Sequence, residues 1–321
     1  MAPATIHLIR CAEGEHVTED YHILDIEDPH LTEKGKAQAL RLRIRFGRYL
    51  NQTTHILTSP MYRSMQTALF GFEEVVQGKR GRYQGYAPED LPLITLHPDF
   101  QELGPLPTNT GSPDPARLIN SPYIDGSLVE DVGLGGMGGW NDKWPEEGPY
   151  DDLDPVKLEG RERRARQFLW DLVQDAEAEG IDDVHIAVVT HANFINVLTR
   201  DWEELAIRGG YENTEFRSFR VVVDEDPPTK EDEEMEMEEG EVKEEKKFGH
   251  QWLDFMSKWW TYSDLSKVEM PAGTEVQGPR LVETEESRER RQIEKEWRAV
   301  AAAQRFLALT ADWDNNKDKK D

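Results

Sequence analysis

The sequence predicts a layered α/β fold in which a largely parallel sheet carries helices on both faces. Short apolar runs alternate along the chain with longer segments whose apolar residues recur at helical spacing. Several of these runs end directly in Arg, His or a Ser-Pro pair, at the strand ends where open α/β sheets bind their ligands. The length of 321 residues allows one domain of about 200–250 residues with appendages.

The first predicted strand covers Thr5 to Ile9 and runs into a polar turn that begins at Arg10 and Cys11. Thr32 is a candidate N-cap for the first helix, because a threonine hydroxyl can accept a hydrogen bond from a free amide of the first turn. Apolar residues then recur at helical spacing at Ala37, Leu40, Ile44 and Leu50.

Residues 55–58 form the second predicted strand, which ends at Ser59 and Pro60. Proline suits the first position of a helix, so we expect the next helix to run from Pro60 to about Val76. Residues 91–96 predict a third strand, and Glu102 follows it in a loop.

Residues 105–150 are rich in Gly, Pro, Asn and Asp, which predicts a long irregular insert of the kind that often covers a functional site. After it, helical periodicity returns at 161–179, and the clearest strand of the chain covers 183–190. A helix at 194–202 and a strand at 219–223 complete the predicted domain.

The C-terminal third differs in composition from the rest. Residues 224–247 contain 13 acidic and 4 basic side chains, which predicts a disordered, solvated insertion that could bind a basic protein partner. Within 248–321 an aromatic segment and a final helix over about 283–309 are expected to pack on the α/β domain of residues 1–223. One face of that helix carries Ile293, Trp297, Val300 and Leu307.

The formal net charge is −26, from 38 basic and 64 acidic residues, and it argues against nucleic acid and anionic membranes as partners. A local basic pocket for a small anion remains compatible with this charge. The single cysteine rules out an internal disulfide and suits a reducing compartment. The sequence has no signal-peptide pattern and no apolar run of membrane-spanning length, so we expect a soluble, cytoplasmic protein.

Four residues at or after predicted strand ends are suited to phosphoryl chemistry. Arg10 and Arg63 can hold phosphate oxygens through the planar donors of the guanidinium group. His191 lies near a helix start, where free amides and the helix dipole favour an anion. Glu102 could protonate a leaving oxygen. A phosphorylated or otherwise anionic small molecule is therefore the expected ligand.

These residues fall in three ordered motifs. Arg10-Cys11-Ala12 corresponds to an Arg-His-Gly/Ala motif, and Thr190-His191-Ala192 corresponds to Thr-His-Gly. Ser59 to Ala68 matches the pattern Ser-Pro-x-x-Arg-x-x-Gln-Thr-Ala at every defined position. With these motifs, residues 4–223 resemble the histidine phosphatase superfamily. The segment Gly139 to Asp142 is similar to one in the fungal-type branch of its phosphoglycerate mutase-like members.

The resemblance implies a three-layer α/β/α sandwich of the phosphoglycerate mutase-like kind and phosphomonoester hydrolysis without a cofactor or metal. It implies that Arg10, Arg63 and His191 contact the phosphate and that Glu102 is the general acid. The family's nucleophilic histidine is replaced in this sequence by Cys11.

Two further positions depart from the family pattern. Val17 stands where many relatives carry an Asn that helps to bind phosphate, and Ala192 stands in place of a Gly. We therefore expect ligand binding with impaired hydrolysis. Two alternatives stay open: an active phosphatase that uses Cys11 or water as its nucleophile, and a non-enzymatic interaction protein that uses the acidic tract.

Each candidate also has a purely structural interpretation. Cys11 can be a small buried apolar residue, and arginines usually form surface ion pairs. The acid role of Glu102 has nearby competitors in Glu89, Asp90, Asp99 and Glu130. No metal site is expected, because no known metal motif fits the spacing of His16, His22 and His30.

Overall fold

The computed structural model describes residues 4–17, 26–87, 90–104, 106–111, 128–131, 155–200, 211–222, 279–297 and 300. The strands are β1 Ala4–Arg10, β2 His55–Thr58, β3 Ile94–Leu96, β4 Val129–Asp131, β5 Val184–Thr190, β6 Phe216–Val222 and β7 Arg280–Glu283. The helices are α1 Glu33–Phe46, α2 Arg48–Gln52, α3 Tyr62–Val76, α4 Pro155–Ala178 and α5 Ala192–Thr199. Residues 285–297 are also helical and are called α6.

The strands form one sheet in the order β4-β3-β2-β5-β1-β6-β7. The first five strands of that order run parallel, and β6 is antiparallel to both of its neighbours. Parallel strands that are joined through helices bring their carboxyl ends to the same edge. Arg10 at the end of β1 accordingly pairs with Thr190 at the end of β5, so the segments after these strands meet at one edge of the sheet.

Side chains that alternate along the strands fill two hydrophobic cores. On one face, Ile9, Ile56 and Val189 pack with residues of α1, α2 and α3. On the other face, Leu8 and Val188 pack with residues of α4 and α5. The fold is therefore an α/β sandwich with a central sheet and helices on both faces, as the sequence predicts.

Helix α1 begins at the predicted cap, since the Thr32 hydroxyl accepts the amide of Gly35 at 2.9 Å. Its apolar stripe was predicted wrongly. Leu40 and Ile44 are 46% and 81% exposed, because they lie on the side of the helix that faces away from the sheet. The buried residues of the helix are Gly35, Ala39, Leu42 and Phe46.

Several element boundaries also differ from the sequence prediction. Helix α3 starts at Tyr62 rather than at Pro60, and the carboxylate of the distant Asp28 accepts the Tyr62 amide at 2.9 Å. Strand β3 starts at Ile94 instead of residue 91, whereas β6 and α5 start earlier than predicted. The insert is not wholly irregular, because it contributes β4, which pairs in parallel with β3.

The Gly-rich part of the insert, including Gly139 to Asp142, the acidic tract and the aromatic segment lie outside the described residues. Helix α6 contacts the domain through polar side chains. The Arg290 guanidinium lies 4.1 Å from the ring centre of Phe216 and donates to its carbonyl at 3.2 Å. Ile293 and Trp297, on the face expected to pack, are 54% and 72% exposed.

The helices in the described part of the chain are each too short or too polar to cross a membrane.

Candidate active site

The site lies at the carboxyl edge of the parallel strands, where the loop after β1 begins. The Cys11 amide donates to the Thr190 carbonyl at 2.7 Å, and the Cys11 carbonyl accepts the side-chain amide of Asn213 at 3.1 Å. The next amide, that of Ala12, donates to the Thr67 hydroxyl at 3.0 Å. These contacts hold the Cys11 backbone from three elements, so the thiol, which is 5% exposed, has a fixed position.

Cys11 and His191 lie in contact. Cys11 Sγ is 3.6 Å from His191 Nδ1, and both residues are buried. The other ring nitrogen of His191 lies 2.9 Å from the Ser59 hydroxyl and 3.2 Å from the Ser64 hydroxyl. The imidazole therefore bridges the thiol on one side and two hydroxyl groups on the other.

Both predicted arginines are fixed by backbone carbonyls. Arg63, the second residue of α3, is 2% exposed and donates from Nη1 to the Thr108 carbonyl at 2.7 Å. Arg10 donates to the carbonyl of Tyr211. Within the described residues neither guanidinium forms an ion pair with a carboxylate.

Glu102 is the carboxyl group that shares the pocket with these arginines. It is 9% exposed and accepts the amide of Leu103 at 2.9 Å. Burial raises the pKa of Glu102, although the Leu103 amide, Arg63 and Arg10 partly oppose the rise. A carboxyl group whose pKa is raised can stay protonated and donate a proton to a leaving oxygen.

Two of the competing acids, Asp99 and Asp90, are less suitable. Asp99 is engaged by the Arg164 guanidinium at 2.8 and 3.2 Å, and Asp90 is exposed. Glu89 lies outside the described residues, as does the side chain of Glu130.

Burial also controls the ionisation of Cys11 and His191. It raises the pKa of the Cys11 thiol, and the nearby Arg63 and Arg10 oppose this only in part. Burial, followed by the charge of Arg63, holds the pKa of His191 well below its usual value. At neutral pH the thiol and the imidazole are therefore both uncharged.

Val17 and Ala192, the two further positions that differ from the family pattern, have structural roles. The Val17 amide donates to the Gly14 carbonyl at 2.9 Å and closes the turn after Cys11, but an apolar side chain offers no hydrogen bond to an anion. Ala192 is the first residue of α5 and is 8% exposed. Within the described residues no three His, Cys, Asp or Glu side chains are grouped to hold a metal ion, and His22 lies outside that part.

Sequence reasoning missed part of this arrangement. Ser59 and Ser64 belong to a recognised motif, and the position of Ser59 after β2 could have indicated its contact with a residue that follows β5. Asn213 gave no signal, because it is about 200 residues from the carbonyl that it binds. His16 also lies near the site, where its charge contributes to the lowered pKa of His191.

Comparison with known proteins identifies relatives of this chain. The profile of the histidine phosphatase superfamily (branch 1) matches residues 6–75, which include the Cys11 loop and the Arg63 helix. A phosphoglycerate mutase-like protein of Arabidopsis thaliana is 27% identical over 249 residues, or 68% of this chain and 84% of the relative. Both findings support the histidine phosphatase superfamily.

Solved structures are similar to this histidine phosphatase-like chain at low identity. Mycobacterial glucosyl-3-phosphoglycerate phosphatase is 16% identical with a TM-score of 0.39 and covers 68% of this chain and 91% of its own. A mutant phosphoserine phosphatase of Entamoeba histolytica, in complex with phosphoserine, is 17% identical with a TM-score of 0.37 and covers 69% and 92%.

Proposed function

We propose that this chain binds a phosphorylated or otherwise anionic small molecule between Arg10, Arg63 and His191, and that it hydrolyses phosphomonoesters poorly. The proposed binding depends on the cations of the site. The proposed poor hydrolysis depends on the protonation state of Cys11.

The observation that carries the proposal is the set of charges in the pocket. Arg63 is almost fully buried, and neither it nor Arg10 is paired with a carboxylate in the described part of the chain. Burial keeps the Cys11 thiol uncharged, so it supplies no counter-charge. Burial also raises the pKa of Glu102, which disfavours the charged form of the carboxyl group that shares the pocket. A buried cation without a counter-ion is costly, so the pocket is most stable when an anion occupies it.

Poor turnover follows from the thiol. The thiolate, not the thiol, is the nucleophilic form of cysteine, and burial favours the thiol of Cys11. A bound phosphate dianion would raise the thiol pKa further, because two like charges repel each other at close distance. His191, with its low pKa, is also a weak acceptor for the thiol proton.

A working phosphomonoesterase is the second candidate, and one contact favours it. The Cys11 thiol lies 3.6 Å from a neutral imidazole, which is the pairing of nucleophile and base that activated cysteines use. Glu102 would protonate the leaving oxygen. Loss of rate in Cys11→Ser would identify this route, whereas attack by water would survive that substitution.

Thermal denaturation with phosphoserine tests the proposed binding. A ligand at about one hundred times its Kd stabilises the folded state by about 2.7 kcal/mol, which for a domain of this size is a rise in Tm of roughly 5–10 °C. The shift should appear with phosphoserine or inorganic phosphate at constant ionic strength and should be absent with serine.

Arg63→Ala should abolish most of that shift, because it removes a buried phosphate-binding group. The matched control is Arg41→Ala, which removes an exposed arginine of α1 and should keep the full shift. An equal shift in both variants, or no shift for the unsubstituted chain at millimolar ligand, would contradict the proposal.

A further inference from the structure

A second polar cluster lies on the same sheet, about 20 Å along β5 from His191. His7 on β1 and Ser218 on β6 are partners in the strand register. His7 Nδ1 lies 2.9 Å from the Ser218 hydroxyl, and His7 Nε2 lies 2.9 Å from His185 Nδ1. His185 Nε2 in turn is 3.2 Å from a carboxylate oxygen of Asp183. The four side chains form a continuous chain of contacts.

The Asp183 carboxylate sets the direction of the hydrogen bonds along this row of four side chains. A carboxylate only accepts, so His185 must donate from Nε2 to Asp183. The other nitrogen of a neutral His185 then accepts, and it takes the proton of His7 Nε2. His7 Nδ1 is left as an acceptor for the hydroxyl of Ser218. The hydroxyl therefore donates to a histidine that is oriented by a second histidine and a carboxylate, which is the relation between nucleophile and base in serine hydrolases.

The cluster borders a cavity of about 650 Å³ that Ser218 and His185 line. The start of α6 also lines it, and Thr284 brings this start against the strand by donating its amide to the Ser218 carbonyl at 2.8 Å. The amides of the first helical residues have no acceptor within their own helix. The amides of Glu285 and Glu286, both lining residues, therefore supply donors of the kind that stabilise an oxyanion.

The cavity wall carries no net formal charge and therefore suits a small ligand without a net charge. The charged residues that line it are three arginines and three glutamates: Arg48, Arg220, Arg288, Glu283, Glu285 and Glu286. Val222 and Val282 contribute apolar surface. The carboxylate of Glu286 is neutralised within the protein, since it accepts hydrogen bonds from Arg48 and from the Tyr49 hydroxyl.

We propose that Ser218 is a reactive nucleophile for small carboxylic esters, with His7 as its base and with His185 and Asp183 as positioning residues. Ser218 Oγ attacks the ester carbonyl carbon, and its proton passes to His7 Nδ1. The carbon–oxygen bond to the alcohol breaks, and the alcohol leaves with that proton. Water then cleaves the acyl-serine by the same route and restores the hydroxyl group.

The ionisation of the histidines is compatible with this role. Burial, followed by the charges of His185 and Arg290, keeps the pKa of His7 well below its usual value. Burial also lowers the pKa of His185, although Asp183 opposes this. Both rings are neutral at pH 7, so His7 Nδ1 can accept the serine proton. Its lowered pKa makes it a weaker base than an ordinary histidine, so we expect slow turnover and use covalent labelling as the readout.

Labelling with a fluorophosphonate probe tests the proposal on the full-length chain. An activated serine displaces fluoride from the probe and forms a stable phosphonate ester. We expect one label, which peptide mass spectrometry should locate to Ser218 and not to Cys11. Ser218→Ala should lose it while its circular dichroism and Tm stay close to those of the unsubstituted chain.

Asp183→Asn separates a catalytic cluster from a merely structural one. The amide can donate to His185 Nε2, which reverses the hydrogen bonds and removes the acceptor for the Ser218 proton, so labelling should slow about tenfold or more. The matched control, Asp182→Asn, changes the neighbouring exposed carboxylate and should label at the original rate. No label on Ser218, or equal rates in the two variants, would overturn the proposal.

Discussion

At the scale of single residues, Cys11 decides what the proposed phosphate-binding pocket can do. Its backbone is held by hydrogen bonds to Thr190 and Asn213, and His191 lies beside it. The side chain is nevertheless shorter than that of histidine, and burial keeps it protonated. Under the proposed function, the pocket would therefore have the cations and the acid that phosphoryl transfer needs, without a ready nucleophile.

Cys11→His is expected to create phosphomonoesterase activity. An imidazole reaches further from the backbone than a thiol, toward the anion that Arg10 and Arg63 would hold. The gain in hydrolysis of an aryl phosphate should be roughly a hundredfold, the lower end of what one well-placed catalytic group contributes. Steady-state rates of the variant and the unsubstituted chain measure it.

The matched control is Cys11→Ser, which should gain nothing. Adding Glu102→Gln to the histidine variant should remove the gain, because the amide cannot protonate the leaving oxygen. If Cys11→His gains no activity, the prediction fails, and the limit lies in Val17 or in the wider pocket.

The sequence predicted which residue types form the site, but it did not predict all of the contacts between them. Arg10, Arg63, His191 and Glu102 were predicted, and the structure brings them together, since each follows or begins an element whose position the fold class already determines. The contact of Asn213 with the Cys11 carbonyl could not be predicted. It joins residues far apart in sequence, and no motif contains both of them.

At the scale of elements, helix α1 supports the site through a close approach at Gly35. A Cβ atom added there would lie 2.1 Å from the carbonyl oxygen of Glu13, in the loop that carries Cys11. That contact is with the backbone, so the helix and the loop would have to separate. Gly35 thus lets α1 lie against the loop that carries Cys11.

Gly35→Ala should therefore destabilise the protein by about 1–3 kcal/mol, the usual cost of an added group in a packed site. Urea denaturation measures this change. The matched control is Gly160→Ala in α4, where the new methyl group would meet, among the described residues, only Arg164 Nη1, at 3.7 Å. That variant should be neutral or more stable by up to about 1 kcal/mol. Equal effects of the two substitutions would contradict the role given to Gly35.

The sequence predicted the type of most elements correctly but fewer of their boundaries. Strands β2 and β5 are fully buried or nearly so, and their apolar runs identify them locally. The start of α3 depends on Asp28, which caps it from a distant loop. The buried face of α1 is the side that meets the sheet. The sequence does not identify this side, because the apolar Leu40 and Ile44 lie on the exposed side of the helix.

At the scale of the whole molecule, the charge is distributed unevenly. The chain carries a net charge of −26, while Arg10 and Arg63 sit in a pocket without paired carboxylates in the described residues. Repulsion among surface carboxylates is screened within about 10 Å at 0.1 M salt. The proposed binding of a small anion beside these arginines is therefore compatible with the overall sign of the charge.

Acid should destabilise the fold through its buried and partly buried histidines. A histidine whose pKa is lowered in the folded state takes up its proton more readily when unfolded, so stability is full above about pH 6.5 and falls as the pH decreases below it. The raised pKa of Glu102 acts in the opposite direction, but it is one group against six. The six histidines with lowered pKa values are His7, His30, His55, His97, His185 and His191.

The free energy of unfolding should consequently drop by about 2 kcal/mol or more between pH 7 and pH 5, since each proton taken up on unfolding contributes up to about 1.4 kcal/mol per pH unit. Urea denaturation at each pH measures it. Protonation of surface carboxylates relieves the repulsion of the acidic chain over the same range, so the comparison belongs at about 0.5 M salt, where that repulsion is screened. His185→Asn should flatten the dependence, because it removes one of the titrating rings. A stability that stays constant or rises toward pH 5 at high salt would show that the buried histidines do not control the acid limit of this fold.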